Sequence, residues 1–175
     1  MAELLVALSV FVAAVGLIVG VFTQALRTQR MVNELSGVNS NASLVLEQIA
    51  REVRLGWGFQ LVSNLAFSPC DQTQGQYDNV QFLRSRPTGP TTITYHWNAA
   101  NHTIDRSEGI GSVDPLTAEN VDVNRLCFSI LQENVDEPWR ITIFTTVGSH
   151  EPQLQNRLLD IQTTVSSRVL PSDVQ

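Results

Sequence analysis

At 175 residues the chain has room for one ordinary domain plus a long helix. Its formal net charge is −6, and there is no long charge run, which argues against a nucleic-acid partner because such partners select clustered basic side chains. The two cysteines, Cys70 and Cys127, are too far apart for a C-x-x-C element, so neither a zinc ribbon nor a thioredoxin-like redox motif is supported.

The first element is residues 3–22, ELLVALSVFVAAVGLIVGVF: a single carboxylate, Glu3, and then nineteen residues without another charge. About 20 apolar residues cross a bilayer as a helix, and residues 4–22 would cover roughly 28 Å. A cleaved secretory signal fits poorly, because Met1-Ala2-Glu3 is not basic and the apolar run exceeds the usual core of such signals. Glu3 has two readings. It is an interfacial carboxylate suited to a helix N-terminus, or it is a charge that needs a partner inside an assembly. Gly16 and Gly20 also have two: small residues four apart that let helices approach closely, or points where the helix loosens.

The helical pattern continues beyond the apolar run. Leu35, Val38, Ala42, Val45, Ile49 and Val53 recur at three- and four-residue spacing and form one apolar face. No proline occurs between Met1 and Leu55, and the first clear stop is Leu55-Gly56-Trp57-Gly58.

The remainder reads as strands. Residues 80–83 make a short one. Residues 91–98 alternate, with Ile93, Tyr95 and Trp97 on one face, and the polar turn 98–101 leads into a return strand at 102–107, giving a hairpin. Residues 84–90 and 109–115 read as irregular links. The three longest strands, 121–132, 139–147 and 159–169, fit an antiparallel sheet with one face on the amphipathic half of the helix.

Catalytic signals are thin. His96, His102 and His150 fall in no metal-binding motif, there is no G-x-S-x-G, and Gly109-Ile110-Gly111 lacks the third glycine of a dinucleotide loop. Asp71 and Asp78 read as a solvated polar loop rather than a calcium site. The sequons at Asn41 and Asn101 are discounted, the first because it lies within the helix pattern. No enzyme, catalytic residue, metal or cofactor is expected.

ELLVALSVF, the apolar helix, the amphipathic extension and the β-rich tail resemble the type IV pilin superfamily, which includes the pseudopilins of type II secretion. The detailed likeness covers roughly the first 30 residues. Beyond them IAREVRLGWGF, ITYHWNAANHTIDRSEG and the strand at 160–170 resemble the J-type minor pseudopilins. The resemblance implies an α+β, pilin-like fold. Residues 1–25 would be the apolar transmembrane or filament-core half of the helix, 26–55 its amphipathic half, and 56–175 an antiparallel β-sheet domain. It implies a structural subunit of a pilus or secretion filament, with like subunits and membrane lipid as partners. The alternative is a monomeric, single-pass anchored domain that binds a ligand outside the cytoplasm.

In that family the glutamate at the head of the helix pairs with the terminal ammonium of a neighbouring subunit, which assigns this role to Glu3. Family precursors carry a basic leader, a glycine and four further residues before that glutamate, whereas here only Met1 and Ala2 precede Glu3. This departure bears on processing and N-methylation rather than on the helix, and a leader peptidase is an expected partner where the native precursor has a leader. The placement implied is the cytoplasmic membrane with the C-terminal domain outside, and then the filament. Arg27 and Arg30 follow the span with no basic residue before it, so the positive-inside rule taken alone gives the opposite orientation. The resemblance implies the first orientation, with the C-terminal domain outside. In an oxidising compartment the even count favours a Cys70–Cys127 disulfide over two free buried thiols. Cys127 has the opposite strand parity from Phe128 and so faces the loops.

Overall fold

The computed structural model describes residues 2–63, 69–132, 134, 137–152 and 154–169, with Ala2 described by its backbone alone. Its elements are α1 (Ala2–Arg54), β1 (Gly56–Val62), a 3-10 turn (Gln72–Gln74), β2 (Gln76–Tyr77), β3 (Asn79–Arg86), β4 (Gly89–Asn98), β5 (Thr103–Glu108), β6 (Val113–Pro115), β7 (Val121–Leu131), β8 (Arg140–Ser149) and β9 (Leu159–Ser166). The protein is therefore α+β, with an apolar N-terminal helix and antiparallel sheets. Internal packing divides it into two units, Met1–Gly37 and Val38–Gln175. The division falls where the helix first acquires a buried side chain, at Val38.

In the first unit α1 is unbroken and all of its described residues but the half-buried Leu35 are exposed. In the second unit the helical stripe read from spacing is the buried one: Val38, Ala42, Val45, Ile49 and Val53 are all buried, joined by Leu46 and Ala50. They form one core with Val80, Phe82, Ile93, Tyr95 and Ile104, and with Val121, Val123, Leu126, Phe128, Ile141, Ile143, Val147 and Val165. The helix ends with Arg51 and Arg54 in its last turn, where cations suit the dipole.

The strands make two sheets rather than one. A five-stranded sheet runs β1-β3-β4-β5-β6, and a four-stranded sheet runs β2-β7-β8-β9. Every pairing is antiparallel. The three long strands expected to neighbour one another do so as β7-β8-β9. Alternation fixes which face of a strand is buried, but not which other strands share its sheet, so the second sheet was not visible in the pattern. The sheets are joined by the Val123 N–H donating to the His102 carbonyl and by the Trp97 indole N–H donating to the Val123 carbonyl, both at 2.8 Å.

Two local expectations are corrected, and the helix stops where expected. Residues 84–90 are not an irregular link: β3 and β4 stay paired to Arg86 opposite Gly89. Gly89 turns the chain at φ 116, a conformation open to glycine. Pro90 sits beyond the end of β5, where its missing N–H breaks no ladder bond. In the expected 109–115 link, Val113–Pro115 forms β6 on the sheet edge. The stop at Gly56 opens directly into β1, whose register shifts between Trp57 and Gln60. Gly56 is required by packing, since a Cβ there would strike the Phe82 ring.

The end of β9 is tied back to the end of α1. The Arg168 N–H donates to the Arg54 carbonyl at 2.8 Å, and the Ser167 hydroxyl donates to the Gly56 carbonyl at 2.7 Å.

Candidate functional site

The first unit carries the largest uncovered apolar surface among the described residues. From Glu3 to Phe22 every residue is exposed, including Leu4 at 75% and Phe22 at 62%. The helix is long and apolar enough to cross a membrane, by length and composition. A helix that is apolar all round is stable only against lipid or other apolar surfaces, and a continuous patch of this extent marks an interaction surface. Its few hydroxyls are turned inward on its own backbone. Ser9 donates to the Val6 carbonyl at 2.8 Å and Thr23 to the Gly20 carbonyl at 2.9 Å. The helix therefore presents almost no free hydrogen-bonding groups along the run, as an apolar medium demands.

Glu3 lies exposed in the first turn, with no ion-pair partner among the described residues. Gly16 and Gly20 also face open space: a Cβ on either meets nothing within 4 Å. The helix passes through both without a break. The structure thus leaves Glu3, Gly16 and Gly20 on an uncovered surface and brings none of them to another described group.

Cys70 and Cys127 are bonded, with their Cα atoms 5.6 Å apart. The bridge ties the segment before the 3-10 turn to the middle of β7, on the side away from Phe128. Beside it, Asp71 caps that turn by accepting from the Thr73 N–H at 3.1 Å. Asp78 does not lie in a solvated loop. It is 1% exposed, and among the described residues neither of its carboxylate oxygens has a hydrogen-bond partner. Its burial follows from its place at the join of β2 and β3, where its carbonyl accepts from the Trp97 N–H.

The second unit contains a charged cluster that sequence reasoning missed. Glu52, on α1, accepts from Arg106 Nε and Nη2 at 3.1 Å each, from Arg84 Nη1 at 2.9 Å and from the Tyr95 hydroxyl at 2.7 Å. Arg106 Nη2 also reaches Glu108 at 2.9 Å, and Arg86 closes the row on Glu108 at 2.6 Å. The side chains of Glu52 and Arg106 are each only 13% exposed. Burial, reinforced by the Glu52 carboxylate, pushes the Tyr95 hydroxyl well above its ordinary pKa. Desolvation works against the Arg106 charge, but hydrogen bonds from Glu52 and Glu108 overcome it and hold that pKa up. The Arg106 hydrogen bond, aided by Arg86, holds Glu108 below the usual carboxylate range. The signal was available: Glu52 falls seven residues after Val45 and three after Ile49, so a charge stands on the buried stripe.

The histidines sit apart. His96 lies 3.7 Å from Asp105, His150 lies 3.1 Å from Asp122, and His102 takes a positive φ in the turn before β5. Among the described residues no three His, Cys, Asp or Glu side chains gather as metal ligands. No family model, no curated protein and no solved structure matches the chain.

Proposed function

We propose that this chain is a structural subunit of a pilin-like filament, of the type IV pilus or type II secretion kind. The observation that carries the reading is the helix of the first unit, apolar on every side and uncovered from Glu3 to Phe22. In this reading the helix waits in the cytoplasmic membrane and is then drawn into a bundle of like helices. Exchange of lipid for helix contacts is nearly neutral per apolar area, so close packing and specific pairing decide the register. Glu3 supplies the pairing, with the amino terminus of a neighbour, and Gly16 and Gly20 supply the close approach. The domain of residues 38–169 stays outside the cytoplasm, which the Cys70–Cys127 bridge supports because such bonds persist in oxidising compartments. The likeness of residues 49–59, 93–109 and 160–170 to J-type pseudopilins favours a minor subunit.

The test is Glu3→Ala in cells, with the protein measured in sheared filaments and in membranes. Removing the charge leaves insertion intact, and the β-domain keeps its fold. The expected result is a filament-to-membrane ratio well below wild type. A ratio equal to wild type removes the reading and leaves a monomeric anchored binding domain in its place.

A further inference from the structure

Each sheet has two edge strands, and three of the four are blunted. β6 is three residues long and ends in Pro115. β2 has two residues. β1 is kinked where its register shifts between Trp57 and Gln60, with Gly58 at φ 64. Short length, proline and bulges are means by which folded proteins keep foreign strands off an edge. β9 has none of them. It is eight residues long, pairs residue for residue with β8, and carries no proline and no basic side chain.

The outer edge of β9 is also open along its length. The Ser167 N–H turns toward the β8 side, where the Trp139 carbonyl accepts it at 2.9 Å. In an antiparallel ladder the backbone groups of successive residues turn to opposite sides. Those of Ile161, Thr163 and Val165 therefore face β8, and those of Asp160, Gln162, Thr164 and Ser166 face outward. All four of the latter are exposed, and among the described residues nothing pairs with their backbone groups. The core is unfinished on the same side. Leu159 and Ile161 are only half-buried, whereas Val147 and Thr145, opposite them on β8, are buried.

We propose that β9 receives an extended segment of a different protein as a further strand of the four-stranded sheet. The proposal goes beyond the filament-subunit reading and does not depend on it. The guest's backbone satisfies the outward N–H and carbonyl groups, and its alternate apolar side chains cover Leu159 and Ile161. Its other row is polar and brings a cation to Asp160, whose side chain is 76% exposed and meets Arg125 only at 3.7 Å. A second β9 does not fit this description, since that strand has no cation to bring.

The test uses the full chain in detergent and a capped eight-residue peptide that alternates valine with threonine and holds one lysine in the threonine row. Hydrogen exchange, resolved amide by amide, is the readout. The peptide is expected to slow exchange at Gln162 and Thr164 about tenfold, and to leave the inward amides of β9 unchanged. Gln162→Pro keeps the β8 ladder whole, because that N–H lies outside it, and should weaken binding about tenfold. Gln162→Val, which keeps the N–H, should bind like wild type. Asp160→Asn, or glutamate for lysine in the peptide, should weaken binding about threefold. If Gln162→Pro does not fold, exchange in the wild type decides alone: slowing confined to the outward amides supports the proposal, and slowing elsewhere overturns it. No binding at millimolar peptide overturns it, as does binding that survives Gln162→Pro in a folded chain. Outward amides already slow before peptide is added also overturn it. Slowness at every protein concentration means that the chain covers its own edge, and slowness that grows with concentration means that a second copy does. None of these measurements involves a filament, so the filament reading stands or falls separately.

Discussion

Arg106 grips Glu52 with two nitrogens, Nε on one carboxylate oxygen and Nη2 on the other, each at 3.1 Å. This two-pronged pair joins the last turns of α1 to β5 of the five-stranded sheet. It does so in the same place where Tyr95, on the strand beside Arg106, inserts a fully buried ring. The polar contact fixes orientation where apolar packing alone would let the helix slide.

Glu52→Gln tests that role. The variant leaves the side chain's shape but withdraws the charge that Arg84 and Arg106 share. Breaking a buried pair from one side strands the other, so stability should fall by about 3 kcal/mol. Denaturant unfolding of the full chain in detergent measures it, and an unchanged midpoint would show that the cluster holds nothing together.

Tyr95 predicts behaviour at alkaline pH. Its hydroxyl pKa is raised above the ordinary 10.0 by burial and then by Glu52. A group raised in the folded state lends stability that is complete below its unfolded value and lost as pH climbs toward the folded one. Stability should therefore decline above pH 10, and Tyr95→Phe should flatten that decline. The variant should also lose about 1 kcal/mol at neutral pH with the hydrogen bond to Glu52. Subtracting the ultraviolet titration of Tyr95→Phe from that of the wild type should show no phenolate from this residue until the protein unfolds.

Glu108 sets the acid side. Arg106, first by its hydrogen bond, and Arg86 depress its pKa below the ordinary 4.5. A depressed carboxyl lends stability that is present above the unfolded value and lost as pH falls through the folded one. Glu108→Gln should therefore lie below wild type in melting temperature at neutral pH and converge with it below about pH 4. Parallel melting curves across that range would remove Glu108 from the account.

The disulfide should matter in proportion to the chain it encloses. Joining residues 57 apart restrains the unfolded state by a few kcal/mol, about 2–4 in practice. Cys70→Ser with Cys127→Ser should lower the melting temperature by that equivalent. Reductant should lower the wild type to the same point and leave the double variant unmoved.

Much of this architecture was legible because two periods dominate it. The stripe Val38, Ala42, Val45, Ile49, Val53 is buried as its spacing requires, and Leu35 is half-covered because it precedes the sheets. Strong alternation made β4, β7, β8 and β9 visible. β1 was hidden by its glycines and its register shift, and β6 by being three residues on an edge. The Glu52 cluster was hidden for another reason. Its partners come from positions 84, 95 and 106, on three strands, and no local pattern announces that they will converge. Glu3, Gly16 and Gly20 are the converse case, plain in the sequence and left exposed among the described residues.

The clasp of Ser167 and Arg168 on the end of α1 sets a clock. A chain made from its amino end presents the helix first and this clasp only after β9. Until then the stripe from Val38 to Val53 lacks its cover from Val165, and the Arg54 carbonyl lacks its donor. This end of the domain therefore closes only after β9 has emerged. Before the strands emerge its apolar stripe is a bare amphipathic helix, a surface that a membrane interface or a chaperone holds readily. Maturation is thus governed by the arrival of β9, however early the helix itself forms.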